Sequence, residues 1–216
     1  MKILFLGKKD DNHTLRALEF LRLYFLDVTS CLGRWGDPLP DEAKDWKGDI
    51  IISYLSRWVV PEFVIANAGI AAINFHPGPP EYPGIGCNNF ALYNSEKEYG
   101  VTCHHMSKDV DTGKIIAVKR FAVMPKDNVE SLLSRTYDYQ LCLFYEEIFK
   151  FITSGHFSMS EETWGRLPYT RKEFNELFEI AVDMNEEEIA RRVRAVSFKQ
   201  FQPYLAIQGY RFILCP

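Results

Sequence analysis

The sequence predicts an α/β fold, in which a mostly parallel sheet carries helices on both faces and a small C-terminal appendage adds a helix and a β-hairpin. Three observations carry that expectation. Short apolar runs alternate with helix-spaced segments through the first two thirds of the chain. One run, Asp49–Leu55 (DIIISYL), is almost continuously apolar, as a strand covered on both faces requires. After Gly155 the alternation stops, so residues 1–154 are expected to form the main domain and 155–216 the appendage.

Each element has its own signal. Ile3–Leu6 reads as a strand ended by Gly7, and Leu15, Leu18, Leu21 and Phe25 recur at helical spacing, predicting a helix over 12–26. Asp27–Cys31 and Asp49–Leu55 read as strands. Pro61 suits the first turn of a helix running to Asn67. Ala71–Phe75 is a further strand that breaks into INFHPGPPEYPGIG, where four prolines and three glycines stiffen and turn the exit. Asn88–Tyr93 predicts a short helix, and Val101–Met106 and Lys114–Val123 predict strands. Asn128 caps a long helix to Thr153, with Val129, Leu132, Leu133, Leu141, Phe144, Ile148 and Ile152 toward the core. Glu186–Val196 is expected to be helical. Tyr204–Ile207 and Tyr210–Leu214 flank Gln208-Gly209 as a hairpin with a two-residue turn.

Composition narrows the class. The 216 residues are 47% hydrophobic and carry 25 Lys and Arg against 29 Asp and Glu, a net charge of −4. That balance offers no basic footprint for nucleic acid. Five cysteines, Cys31, Cys87, Cys103, Cys142 and Cys215, are odd in number and widely spaced, which fits a reduced, cytoplasmic protein. The Ile3–Leu6 run is too short for the core of an export signal, and no window approaches a membrane span.

Two motifs carry chemistry. Asn74 and His76 lie two apart at the carboxyl end of a strand, so their side chains share a face that can open into a crevice. Farther on, Asp109-Val110-Asp111-Thr112-Gly113 places two carboxylates before a glycine turn. Each alone has an ordinary account: a satisfied core histidine, and an Asp-x-Gly turn braced by its own backbone. His104-His105 near these carboxylates suggests a metal, but neighbours on a strand point opposite ways, so no metal is expected. The same divergence leaves Cys103 as a packed thiol.

Taken together, Asn74-Phe75-His76-Pro77 and Val110-Asp111-Thr112-Gly113 resemble the formyltransferases that use 10-formyltetrahydrofolate. The resemblance covers roughly residues 1–150 and implies a Rossmann-like catalytic domain. The loop Gly78-Pro79-Pro80-Glu81-Tyr82-Pro83-Gly84 is most similar to the branch that formylates nucleotide-linked amino sugars, and the Ser-Leu-Leu-Pro wording of the purine and tRNA branches is absent. The resemblance implies Asn74, His76 and Asp111 as catalytic residues. Such a group suits the task. An acceptor amine must be neutral to attack, so it needs a base; the formyl oxygen gains negative charge, so it needs hydrogen-bond donors. Whether His76 or Asp111 is the base stays open.

By the same resemblance, the backbone of Trp58, Val59 and Val60 meets the pterin of the carrier, and the loop Ser107, Lys108, Asp109, Val110 and Asp111 closes the other side. For a nucleotide sugar the candidates are Lys9 after the first strand, Glu81 and Tyr82 in the rigid loop, and Arg194, Phe198 and Tyr204, which pair a cation with aromatics. The expectation is therefore transfer of a formyl group from 10-formyltetrahydrofolate to a dTDP-linked amino-dideoxysugar, with dTDP-4-amino-4,6-dideoxyglucose favoured, for surface polysaccharide synthesis. The resemblance further implies a homodimer joined through the hairpin, with a monomer as the alternative. The alternatives are a dTDP-3-amino sugar as acceptor, hydrolysis of the carrier, and a non-catalytic binding module.

Overall fold

A computed structural model of the chain describes residues 1–214; Cys215 lies outside them. Six strands, β1 (Lys2–Lys8), β2 (Asp27–Gly33), β3 (Gly48–Tyr54), β4 (Ala68–His76), β5 (Glu98–His105) and β6 (Ile115–Ala122), form one sheet in the order β2-β1-β3-β4-β5-β6. The pairings from β2 to β4 are parallel, whereas β5 and β6 join antiparallel. The sheet is thus mixed. The connection 106–114 between β5 and β6 holds no crossover helix, and a parallel return needs about a dozen residues or more.

Side-chain alternation sorts the two faces. Ile3, Phe5, Ile50, Ile52, Ile73 and Phe75 pack on one side under α1 (Asn12–Tyr24) and α5 (Val129–Ser154). Leu4, Leu6, Ile51 and Ala72 face the other way, toward α2 (Asp41–Asp45) and α3 (Glu62–Ile65). Asn74 and His76 continue the Ala72 face, where α3 stops short and leaves room. On α5, Asn128 caps through a reciprocal capping box with Ser131 and Gly155 ends the helix at φ 78°.

The segment after Gly155 is stitched to the sheet's rim before it forms elements of its own. Ser160 N–H donates to the Ile115 carbonyl, Gly165 N–H to Pro80, Tyr169 N–H to Pro83, and Ile85 N–H to Tyr169. Gly84, at φ 88°, is needed here, because a Cβ would meet the Tyr169 backbone at 2.6 Å. Beyond lie α6 (Arg171–Glu176), β7 (Glu179–Ile180), α7 (Glu186–Val196), β8 (Tyr204–Ile207) and β9 (Tyr210–Ile213). Helix α7 packs on α4 (Cys87–Tyr93), burying Ala195 and Val196 in a second core with Phe90 and Leu92. The hairpin β8–β9 turns at Gln208 and Gly209, both with positive φ, and β7 adds a third strand to it. Helices α2 and α6 and strand β7 are too short to leave a period in the sequence. Among the described residues, no helix is long and apolar enough to cross a membrane, and no group of three or more His, Cys, Asp or Glu could hold a metal ion.

Candidate active site

At the carboxyl ends of β3 and β4 opens a cavity of about 550 Å³. Asn74, His76 and Asp111 meet on its floor with a fourth residue, His104. Antiparallel register places His104 opposite Asn74 and Thr102 opposite His76, so both strands present polar side chains on one face. Asp111 arrives from the loop after β5, in a left-handed conformation (φ 49°) that aims its carboxylate inward. Gly113 permits that turn, because a Cβ there would collide with the His105 carbonyl.

The cluster is dry and closely bonded: His76, His104 and Asp111 are each no more than 5% exposed. His76 Nδ1 lies 3.1 Å from Asp111 Oδ2, and its Nε2 lies 2.9 Å from the Tyr82 carbonyl. A carbonyl only accepts, so Nε2 carries a proton; the carboxylate accepts from Nδ1–H. His76 is therefore held as an imidazolium. Burial alone would push its pKa down, but the Asp111 charge, with Cys87 and the Tyr82 carbonyl, raises it to about 9. Burial would likewise raise Asp111, yet the His76 cation foremost, and the Gly84 N–H, which donates to Oδ2 at 2.8 Å, hold it at about 2.

His104 Nε2 is 3.3 Å from Asp111 Oδ1 and 3.1 Å from Asn74 Nδ2, while its Nδ1 is 2.8 Å from the His105 carbonyl. Against the cluster packs Trp164. Its ring meets His104 and His76 edge-on, at centroid distances of 5.0 and 5.9 Å, and its indole N–H donates to the Gly113 carbonyl at 2.8 Å. Below, Thr102 and Tyr99 hydroxyls bind the carbonyls of Gly78 and Pro77, pinning the start of the proline loop.

The cavity wall contains Trp58, Val59 and Val60 on one side and Ser107, Lys108, Asp109 and Val110 on the other. Trp58 is anchored by its indole N–H to the Asp37 carbonyl and packs on Gly33. The opposite loop braces itself: the Ser107 hydroxyl donates to the Asp109 carbonyl, and Ser107 and Thr112 hydroxyls lie 2.7 Å apart.

Of the residues expected at the sugar, none lines this cavity. Lys9 is exposed and outside the lining, with its backbone N–H on the Gly33 carbonyl. Glu81 is clasped by Arg120. Tyr82 is buried, its hydroxyl donating to Glu96 Oε1 at 2.6 Å, and it serves the site through its carbonyl. Arg194 Nε donates to the Asp127 carbonyl, Phe198 packs on the second core, and Tyr204 lies under Arg211 on the hairpin. Instead the rim is formed by Trp35, Arg57, Tyr137, Tyr169 and Arg171, none of them singled out from the sequence. Only folding brings these separate segments together. His104 had a local signal, since Thr102 and His104 alternate with apolar Val101 and Cys103. Trp164 had none.

The profile of the formyl transferase family matches residues 39–148, about half of the chain and most of the cavity floor and walls. The GDP-perosamine N-formyltransferase of Brucella melitensis is 27% identical over 210 residues, covering 96% of this chain and 80% of that protein. The methionyl-tRNA formyltransferase of Lactobacillus acidophilus is 26% identical over 169 residues, covering 78% of this chain; the chain spans only 53% of that relative's length. The N-formyltransferase of Helicobacter canadensis, solved with folinic acid and dTDP-3-aminofucose, shares the fold with a TM-score of 0.72 at 22% identity, covering 98% of this chain and 86% of that one.

Proposed function

Since the chain belongs to the formyl transferase family, we propose that it carries a formyl group from 10-formyltetrahydrofolate to the amine of a nucleotide-linked amino sugar. The observation that carries this is the buried floor of the cavity, where an amide, two imidazoles and a carboxylate converge beneath a space large enough for a carrier and an acceptor end. Near-full-length similarity to a GDP-perosamine N-formyltransferase supports a sugar as the acceptor. The preferred acceptor is dTDP-4-amino-4,6-dideoxyglucose, with the 3-amino isomer and a GDP-linked amino sugar as rivals; the latter is favoured by that same relative.

The walls fit the carrier, since Trp58–Val60 offer backbone groups and apolar cover opposite the braced loop 107–111. Bound there, the carrier supplies an activated formyl group. The Asn74 amide N–H then faces the formyl oxygen, where negative charge develops. His76, with both ring N–H groups engaged, acts as a fixed positive charge beneath it, and Asp111 keeps that charge in place. Trp164 packs edge-on against both imidazoles and helps keep the cluster dry. Cytoplasmic folate and sugar nucleotides, and a product destined for a surface polysaccharide, complete the proposal. The exposed Tyr210 and Phe212 on edge strand β9 support dimerisation through the hairpin.

The test is folate turnover, followed by absorbance, with each of the three sugar nucleotides and with none. Turnover that needs one of them establishes the reaction and its regiochemistry. Turnover without an acceptor favours hydrolysis, and none at all overturns the proposal.

A further inference from the structure

We propose that His104, rather than His76, takes the proton of the attacking amine. The inference rests on the formyl-transfer reading above and deepens it. His76 has no lone pair to offer, because Nε2–H is committed to the Tyr82 carbonyl and Nδ1–H to Asp111. His104 is differently bound. Its Nδ1 faces the His105 carbonyl at 2.8 Å, an acceptor only, so the ring proton sits on Nδ1 and the lone pair on Nε2. That lone pair accepts the Asn74 amide N–H at 3.1 Å and borders the cavity. A second imidazolium would set two buried cations against the single Asp111 carboxylate, whereas a neutral His104 leaves one balanced pair in a dry site.

The same atoms explain how proton and oxyanion are handled together. As the amine nitrogen bonds to the formyl carbon, the Asn74 N–H leaves Nε2 for the oxygen that is becoming negative. The amine proton moves to the vacated Nε2, and the new Nε2–H donates to Asp111 Oδ1, already 3.3 Å away. When the bond from the formyl carbon to the carrier nitrogen breaks, that proton passes from Nε2 to the departing nitrogen. One proton leaves the amine and one reaches the carrier, so nothing else is required. The charged and titratable groups facing His104 are Asp111 from the loop, His76 through Asp111, and His105 on its own strand; Trp164 packs against it from the C-terminal segment.

The experiment has two arms. In the first, His104→Gln is compared with wild type across pH. The expected result is a fall in kcat of roughly 10²–10⁴-fold with the KM for the carrier within about threefold, and loss of the wild-type decline toward acid. A variant within threefold of wild type, or one that keeps the acid decline, overturns the proposal. The second arm needs no substrate. Ring-nitrogen NMR of histidine-labelled wild type at pH 7, with His104 assigned by the signals that vanish in His104→Gln, should show a proton on Nδ1 and none on Nε2. A proton on Nε2 overturns the proposal even if no acceptor turns over. Absent turnover with the expected tautomer would sink the formyl-transfer reading instead.

Discussion

Asp111 and Arg120 each sit at the centre of an ionic cluster, one on the cavity floor and the other at the surface. Asp111 is 5% exposed and lies between two histidines and a backbone N–H. Arg120 has a side chain 31% exposed and grips Glu81 with two nitrogens at 3.0 and 3.1 Å, Glu162 at 2.6 Å and, more loosely, Glu98. Both tie a loop to the sheet. Water separates their consequences: at the surface it screens the charges, whereas on the floor the pairing decides which atoms carry protons.

The largest break in that comparison is Asp111→Asn. Removing the carboxylate strands the His76 cation in a dry site. We expect about 3–5 kcal/mol of lost stability in denaturant titration and a kcat fall of roughly 10²–10⁴-fold. In the same variant the His76 pKa should drop well below 9, visible as loss of the imidazolium signal near neutral pH.

Gly78→Ala tests the geometry without touching charge. Its Cβ would stand 2.6 Å from His76 Nε2 and 3.0 Å from the Tyr82 carbonyl, so the ring must move off its acceptor. The expectation is ~1–3 kcal/mol of destabilisation and an activity loss of up to ~100-fold, read by melting and by initial rates.

Wild type should also show the cluster in its stability against pH. The raised His76 contributes stability that is full below about 6.5 and lost as pH rises through about 9. The lowered Asp111 contributes above about 3.9 and loses its share as pH falls through about 2. The difference in Tm between wild type and Asp111→Asn should therefore be widest between roughly pH 4 and 6.5 and shrink outside it. A difference independent of pH would contradict the ion pair.

Arg120→Met should do least. We expect about 0.2–1 kcal/mol, shrinking further in high salt, because long exposed side chains gain little from pairing. A larger, salt-independent loss would make the surface cluster the equal of the buried one.

How legible each cluster was follows from the range of the forces that build it. Strand and helix positions were readable wherever period and capping residues coincided, as in Asn128 through Gly155 on α5. Asn74 and His76 were legible because two-residue alternation at a strand end is a local rule. The turn that carries Asp111 is set locally by glycine as well, but its place in the site was implied only by the resemblance of the two motifs taken together. Tyr82 shows the limit of such reading: it stands in a polar-looking loop, yet its side chain turns into the second core and only its carbonyl reaches the site. Glu81, beside it, is taken by Arg120 from a distant strand.

By itself, the sequence determined the run of alternating elements, the polar pair at the mouth of β4 and the stiff loop after it, since these depend on neighbours along the chain. Only the tertiary structure decided that β5 enters antiparallel and sets His104 opposite Asn74, that Trp164 packs against both histidines, and that Trp35, Arg57 and Arg171 share one rim. Those placements follow from strand register and from packing between distant segments, whose free energies are distributed over the whole core and leave no periodic mark on the residues they bring together.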